Sequence, residues 1–416
     1  MKQKVISFIR HPLFSGSALL IIGSNSANAI NYVYHIVMGR LLGPAAYADM
    51  AALFSVIVLI NMLPSSLNLV LIKHVSSSTD PVRLGSSLRW FLNKSLLVGL
   101  ALSLAVLLFL PVISSFLHVS ELWAIVFLGL YFIIALPVLV FRASLQGILR
   151  FGRYVASILT ENVVKLLLGM GFVLMGLSVT GSLLGIFLAA IVGLFLSWWF
   201  CRDFFGKHPQ APETLKEMIK FSYPVMAFAF AFTSLFTMDV ILAKHFLSPT
   251  EAGLYAALST LGKIIIFGSS PVAGVMFPLV SRRHAKKTSY RKIFWASLGL
   301  TAAIGLTALA VYGLFPHQVL GVLYGERFLN ASGFLFMFGI FSVLYSLSNF
   351  LVGFFLSLDI KSIAVFPVLA AIAQIVGISL FHSGISSVIT VSLVVCSGLF
   401  LTLLLNLRHP AVKIAS

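Results

Sequence analysis

Apolar and polar positions follow one another along this chain in long blocks. Runs of about 20 apolar residues, the length that a helix needs to cross a bilayer, recur from end to end between short polar connections. The pattern therefore predicts an all-α integral membrane protein. Its twelve transmembrane helices are expected near residues 15–38, 46–72, 91–115, 122–148, 154–177, 182–201, 221–243, 252–279, 293–315, 332–357, 362–381 and 385–406.

Part of this pattern occurs twice. Residues 40–53 read RLLGPAAYADMAAL, and residues 245–258 read HFLSPTEAGLYAAL, so that Pro249 follows Pro44 after about half of the 416 residues. Internal repeats of this length are typical of transporters built by duplication. We expect two pseudo-symmetric six-helix lobes, 1–201 and 221–416, joined by a cytoplasmic linker at 202–220.

Composition excludes a water-soluble domain. Hydrophobic residues make up 60% of the chain and charged residues 9%, whereas about a quarter of a soluble protein is charged. The net charge of +17 does not indicate a nucleic-acid partner, because the basic residues lie between the spans and not on one face. Cys201 and Cys396 have no ligand-like neighbours, so neither a disulfide, a metal site nor a cofactor is predicted.

The basic residues predict the orientation of the chain. With twelve spans, 23 of the 28 Lys and Arg residues fall on the side of both termini, and only Arg40, Lys244 and Arg327 fall on the other. By the positive-inside rule we expect a plasma-membrane protein with both termini on the cytoplasmic side. The first thirty residues imitate a secretory signal, but their apolar helix continues to Met38 and is too long for one.

Two acids and two lysines are the four clear cases of ionisable residues inside the predicted spans, where a charge costs about 3 kcal/mol. Glu161 and Lys165 lie one turn apart on the fifth span, and Lys165 is roughly 16 Å from its cytoplasmic end. Asp239 and Lys263 lie on the seventh and eighth spans. Either each carboxylate forms a structural salt bridge with its lysine, or the lysines line a cavity for phosphate, which suits the compact charge of lysine.

A polar stripe follows one side of the first span. Asn25, Asn28, Asn31 and His35 share about a third of the helix circumference, and Arg40 ends the same helix on the outer side. The amides and the imidazole suit either hydrogen bonds between helices or sugar hydroxyls. Arg40 is either a phosphate contact at the outer mouth or an interfacial anchor.

Several motifs carry a family resemblance. In order they are GRLLGPAAY, FSYPVMAF, Asp239 ahead of LAKHFLSPTEAGLYAA, MFPLVSRRHA and VLYGERFLNA. Together they resemble the polysaccharide-transporter branch, with Wzx-type flippases, of the multidrug/oligosaccharidyl-lipid/polysaccharide exporter superfamily. The resemblance implies two lobes around a central cavity. It also implies a flippase that moves a polyprenyl-diphosphate-linked oligosaccharide across the plasma membrane by alternating access, for cell-surface polysaccharide biosynthesis.

The resemblance also suggests roles for the residues above. A cationic cavity maps onto Lys165 and Lys263, with Arg40, Asn28, Asn31 and His35 as further substrate-binding candidates, and Glu161 or Asp239 is the candidate for coupling to protons or sodium. Association with polysaccharide assembly proteins would fit such a role. Ser248 replaces the glycine expected before Pro249, which weakens the match to the second turn motif without affecting the proposed cavity. Twelve spans instead of fourteen argue against the lipid II flippase branch.

Two competing functions remain at this level. A multidrug-and-toxin-type cation antiporter needs acidic cavity residues, but Glu161 and Asp239 are matched here by two lysines. A membrane glycosyltransferase or polysaccharide polymerase needs acids or metal ligands gathered on an outer loop. The acids predicted there, Asp49, Glu121, Glu251 and Glu326, are dispersed, so we expect a transporter and not an enzyme.

Overall fold

A computed structural model describes residues 12–78, 80–206, 209–212, 226 and 228–407 of the chain. These residues form helices joined by short connections, with no strand among them, so the predicted all-α class is confirmed. The helices are α1 Pro12–Ser77, α2 Pro81–Leu108, α3 Leu110–Leu117, α4 Leu122–Gly147, α5 Phe151–Phe172, α6 Ser178–Cys201, α7 Phe228–Leu235, α8 Met238–Phe246, α9 Pro249–Ala285, α10 Arg291–Leu314, α11 Pro316–Tyr324, α12 Ser332–Ser357, α13 Val365–Leu380 and α14 Ile385–Asn406.

Contacts between helices divide the chain into two compact units. Unit 1 comprises Met1–Leu42 and Ile60–Met226, and unit 2 comprises Gly43–Leu59 and Ala227–Ser416. The division places residues 43–59, which the sequence pattern assigned to the N-terminal lobe, with the C-terminal helices. Helix α1 therefore contributes to both units.

Nine helical stretches in the described residues are long and apolar enough to cross a membrane, or ten if α7 and α8 form one bent span. The protein is thus a multi-pass membrane protein. Two of the nine, Ile22–Met62 and Phe151–Phe204, are 41 and 54 residues long, about twice what one crossing requires. The prediction of twelve crossings counts each of these as two, and that exact number is not confirmed.

The break in α1 lies in the predicted turn between the first two spans. Gly43 has φ 72° and ψ 174°, a combination that is essentially restricted to glycine. Pro44 follows, and its fixed φ and missing N–H suit the first position of a new helix. The Gly-Pro pair therefore ends one helix and starts the next without an intervening loop.

The corresponding turn before α9 is built differently. Ser248 caps α9 by accepting from the Glu251 N–H at 3.4 Å, while the Glu251 carboxylate accepts from the Ser248 N–H at 3.3 Å. This reciprocal pair is a capping box, which stabilises a helix N-terminus. Ser248, which departs from the glycine of the motif, thus supplies a helix cap where the first turn uses a glycine with a positive φ.

Close backbone approaches hold unit 1 together. Helices α5 and α6 pack where a Cβ on Gly185 would lie 2.6 Å from backbone atoms of Gly169, so small residues allow the contact, as is usual between membrane helices. Helix α4 lies against α2 and α6. The outward face of α2 carries exposed apolar side chains, among them Leu97 and Leu104, as expected of a surface in contact with lipid.

Unit 2 contains a broken span. Helices α7 and α8 meet at Phe236 and Thr237 with a bend of 41°. A break in lipid leaves backbone groups to be satisfied by neighbours. The Gln374 amide donates to the Leu235 carbonyl at 3.0 Å, and the Tyr345 hydroxyl donates to the Phe232 carbonyl at 3.0 Å. The bend is therefore supported by α12 and α13.

The segment 43–59 is bound to unit 2 by polar contacts. Lys244 on α8 forms an ion pair with Asp49 at 2.6 Å, with 3% and 16% of the two side chains exposed. Two residues before Asp49, the Tyr47 hydroxyl lies 2.9 Å from Thr260 Oγ1 and 3.3 Å from the Tyr324 hydroxyl. The sequence pattern placed Asp49 and Lys244 on the outer side, and in the structure both are largely buried.

Candidate functional site

Lys165 lies in the interior of unit 1, where α5 packs against the first half of α1. Its Nζ donates to Asn31 Oδ1 at 2.5 Å and to Asn162 Oδ1 at 3.0 Å, and it lies 5.1 Å from the centre of the Tyr34 ring. The side chain is buried. The structure thus brings together two of the predicted substrate-binding residues, Lys165 and Asn31.

Glu161, one turn from Lys165, contacts a different cation. The Arg142 guanidinium donates to Glu161 Oε2 at 2.6 Å and to the Ser157 hydroxyl at 3.0 Å. The Ser157 hydroxyl in turn lies 2.7 Å from the Ser197 hydroxyl on α6. Helices α4, α5 and α6 are therefore joined by one polar network, and its charge-assisted bonds are of the stronger kind.

Arg142 was not predicted as a site residue, because it is one of the 23 basic residues that the sequence pattern assigned to the side of both termini. It lies inside α4, five residues before Gly147. The predicted span 122–148 contains this residue, and the structure agrees that it belongs to the helix and not to a loop. A signal was present in the sequence, because Tyr131, Ala135, Val138 and Arg142 recur at the spacing of one helical face.

Asp239 and Lys263 lie in unit 2, beside the bend between α7 and α8. Asp239 is fully buried and accepts from the Tyr255 hydroxyl and from the Val240 N–H, both at 2.8 Å. Lys263 is half-buried, with its Nζ 5.5 Å from the centre of the Phe236 ring, and within electrostatic range of Asp239. The carboxylate is thus held by a hydroxyl and an amide next to the bend.

The remaining candidates on α1 lie in different surroundings. His35 is buried, and its ring meets the edge of the Tyr34 ring at 5.8 Å between centroids. Asn28 and Arg40 are exposed. Of the predicted polar stripe, Asn31 contacts Lys165 and His35 is buried against Tyr34, whereas Asn25 and Asn28 are exposed.

Three acids that the sequence placed on outer connections have structural contacts. Asp49 pairs with Lys244, and Glu251 forms the capping box of α9. Glu121 accepts from the N–H and the hydroxyl of Thr180 at the start of α6, both at 2.7 Å. Desolvation raises the pKa of Glu121, but these hydrogen bonds outweigh it and lower the pKa below its ordinary value.

Solved transporters share this arrangement of helices. A multidrug resistance MATE family transporter of the MOP superfamily, in an inward-facing conformation, matches with a TM-score of 0.78 and 16% identity over 94% of this chain and 96% of that one. The lipid II flippase MurJ, inward closed, matches with a TM-score of 0.75 and 13% identity over 96% and 90%. At such identities the likeness shows the fold alone.

A third neighbour is a MOP superfamily transporter from Pyrococcus furiosus Vc1, for which a reverse polarity of the binding pocket is reported to suggest a different function. It matches with a TM-score of 0.64 and 16% identity over 96% of this chain and 95% of that one. The helices of this chain therefore have the fold that is seen in these solved transporters.

The sequence itself identifies the family. The family model for "polysaccharide biosynthesis protein" matches residues 13–284, well over half of the chain. This protein belongs to that family. No curated protein sequence matches the chain.

Proposed function

We propose that this protein is a flippase that exports a polyprenyl-diphosphate-linked oligosaccharide across the plasma membrane by alternating access, for cell-surface polysaccharide biosynthesis. Support comes from family membership and from a fold shared with a lipid II flippase. The observation that carries the proposal is Lys165, a cation buried within the helices of unit 1 and held by two amide oxygens. A diphosphate is the ligand that such a point charge attracts.

The other predicted residues take roles consistent with this function. Lys263 is the second phosphate-binding candidate, and Asn31, Asn28, His35 and Arg40 remain substrate-binding candidates. Asp239 is the stronger candidate for coupling to protons or sodium, because it is buried beside a broken helix, where transporters often place ion sites. Glu161 is the weaker candidate, since Arg142 already holds its carboxylate.

Transport into vesicles tests the proposal. Purified protein is reconstituted with a fluorescent polyprenyl-diphosphate sugar, and arrival of the lipid in the outer leaflet is measured. We expect the double variant Lys165→Ala, Lys263→Ala to lose at least about tenfold in rate, because each charge-assisted contact contributes roughly 1.5–3 kcal/mol. The matched control is Lys286→Ala, Lys287→Ala, which removes two exposed lysines from a connection between helices. Equal rates in both double variants would refute the phosphate role.

A cation antiporter of the multidrug-and-toxin type is the second candidate. The fold similarity to MATE transporters and the buried Asp239 carboxylate favour it. The same vesicles decide between the two functions. Transport of ethidium with no movement of the lipid-linked sugar would refute the flippase proposal and support the antiporter.

We further propose that the protein acts as a transporter and not as a glycosyltransferase or polysaccharide polymerase. The support is that Asp49, Glu121 and Glu251 are each engaged in an ion pair or a helix cap. The lowered pKa of Glu121 leaves it ionised at neutral pH, which is unsuitable for a general acid. Incubation with a nucleotide sugar or with two lipid-linked units tests this, and a longer glycan product would contradict it.

A further inference from the structure

Unit 1 contains a cavity of about 210 Å³ beside the ion pair of Arg142 and Glu161. This volume is that of roughly seven water molecules and is comparable to a single sugar ring. Four helices form it. Its polar lining consists of Asn61, Asn68, Tyr131, Arg142, Tyr154 and Glu161.

The lining residues share the faces that point into this cavity. Asn61 and Asn68 lie two turns apart on α1, and Tyr154 and Glu161 lie two turns apart on α5. The Asn61 amide lies 3.4 Å from the Tyr131 hydroxyl. Asn68 Oδ1 is buried, and none of the described residues donates a hydrogen bond to it. A buried acceptor left in this state is costly, so a hydroxyl donor from a ligand would satisfy it.

The charge of the cavity indicates a neutral ligand. Arg142 and Glu161 lie 2.6 Å apart, so their charges compensate each other and attract neither a phosphate nor an organic cation. Their side chains are still 15% and 21% exposed, so they can exchange hydrogen bonds with hydroxyl groups. Two tyrosine rings add apolar surfaces against which the C–H face of a sugar packs, which completes the mixed lining typical of ligand pockets.

From this geometry we infer that the cavity lined by Asn61, Asn68, Tyr131, Arg142, Tyr154 and Glu161 binds one uncharged sugar ring of the glycan. The inference rests on the proposed function for the identity of the substrate. It separates two tasks within unit 1: Lys165 attracts the diphosphate, and this cavity recognises the sugar. Asn68 supplies an acceptor, and the ion pair supplies both a donor and an acceptor.

Binding in detergent tests the inference without requiring transport. The probes are undecaprenyl diphosphate and the same lipid carrying one hexose or one N-acetylhexosamine, and Kd is measured for each. The quantity compared is the ratio of Kd for the bare lipid to Kd for the better sugar lipid. We expect a ratio of about ten or more for the wild type. Asn68→Leu, which keeps the volume and removes the acceptor, should bring it close to one.

Two further variants make the result decisive. Ala135→Leu adds three carbon atoms to the cavity wall and should also bring the ratio close to one, while Kd for the bare lipid stays unchanged. Asn406→Leu is the matched control, because Asn406 lies near the end of α14 and donates to Thr402; it should keep the wild-type ratio. The Tm of each variant is measured first, and the Kd ratio is compared between variants whose Tm equals that of the wild type.

The outcomes separate this inference from the proposed function. A ratio near one in the wild type, or an unchanged ratio in both cavity variants, overturns the sugar site even if vesicle transport succeeds. A selective loss of sugar binding supports the site even if the vesicles show no transport, in which case only the flippase proposal fails. If the cavity variants weaken binding of the bare lipid as much as binding of the sugar lipid, the cavity binds the diphosphate and not the sugar.

Discussion

The most informative single residues in this protein are polar or charged side chains inside apolar helices. Lys165 and Asn31 were identified from the sequence because each interrupts an apolar helix, and the structure joins them at 2.5 Å. The role of Arg142 was not predicted, because a basic residue near the end of a span was counted with those that orient the chain. The partners of a charge depend on tertiary packing, which places Arg142 and not Lys165 within 2.6 Å of Glu161.

The ion pair of Asp49 and Lys244 permits a prediction at this scale. Because both side chains are largely buried, removing one partner leaves an uncompensated charge, which costs about 3–5 kcal/mol. Asp49→Asn and Lys244→Met should each lower the Tm in detergent. The double variant Asp49→Leu, Lys244→Met should recover most of the loss. A double variant as unstable as the sum of the two single variants would show that the pair is not coupled.

Helix ends show how two equivalent elements reach one geometry by different means. The repeat predicted both turns before Pro44 and Pro249, and both are present. The departure from the motif at Ser248 has a structural explanation, because serine caps the helix together with Glu251. The bend between α7 and α8 was also not predicted, since it depends on Gln374 and Tyr345 from distant helices.

The turn at Gly43 provides the prediction at the scale of the element. Gly43→Ala should destabilise the protein by about 1–3 kcal/mol, because φ 72° with ψ 174° strains any residue with a Cβ. Gly171→Ala is the matched control. Gly171 lies in α5 with open space where a Cβ would stand, so alanine should be neutral or stabilising by about 0.5–1 kcal/mol. Thermal unfolding compares the two, and equal shifts in Tm would contradict this account.

For the molecule as a whole, composition and hydrophobic blocks were sufficient to predict the class, because lipid imposes helices on every crossing segment. They were not sufficient for the division into units. Nothing in the apolar pattern distinguishes residues 43–59 from the rest of α1, and only their contacts with α8, α9 and α11 assign them to unit 2. The predictions for the signal-like start of the chain at residues 1–11, for most of the linker and for the start of the seventh span at residues 213–225 fall outside the described part of the chain.

Orientation in the membrane is a property of the whole chain and can be tested with two matched variants. Ser77→Cys and Ser120→Cys introduce thiols at exposed positions beyond opposite ends of the α2–α3 segment. Both native cysteines are buried, so they give a low background. If the termini are cytoplasmic, a membrane-impermeant maleimide should label Ser120→Cys in intact cells and Ser77→Cys only after permeabilisation. The reverse pattern would invert the topology.

The assignment of residues 43–59 to unit 2 has a consequence for how the protein is made. Asp49 leaves the ribosome about 200 residues before Lys244, which at roughly 5–20 residues per second means a delay of some 10–40 seconds. Throughout that interval the nascent hairpin carries a carboxylate whose eventual counter-ion does not yet exist. Unit 2 therefore cannot be completed until its C-terminal residues are synthesised, whereas every residue of unit 1 is translated before Lys244.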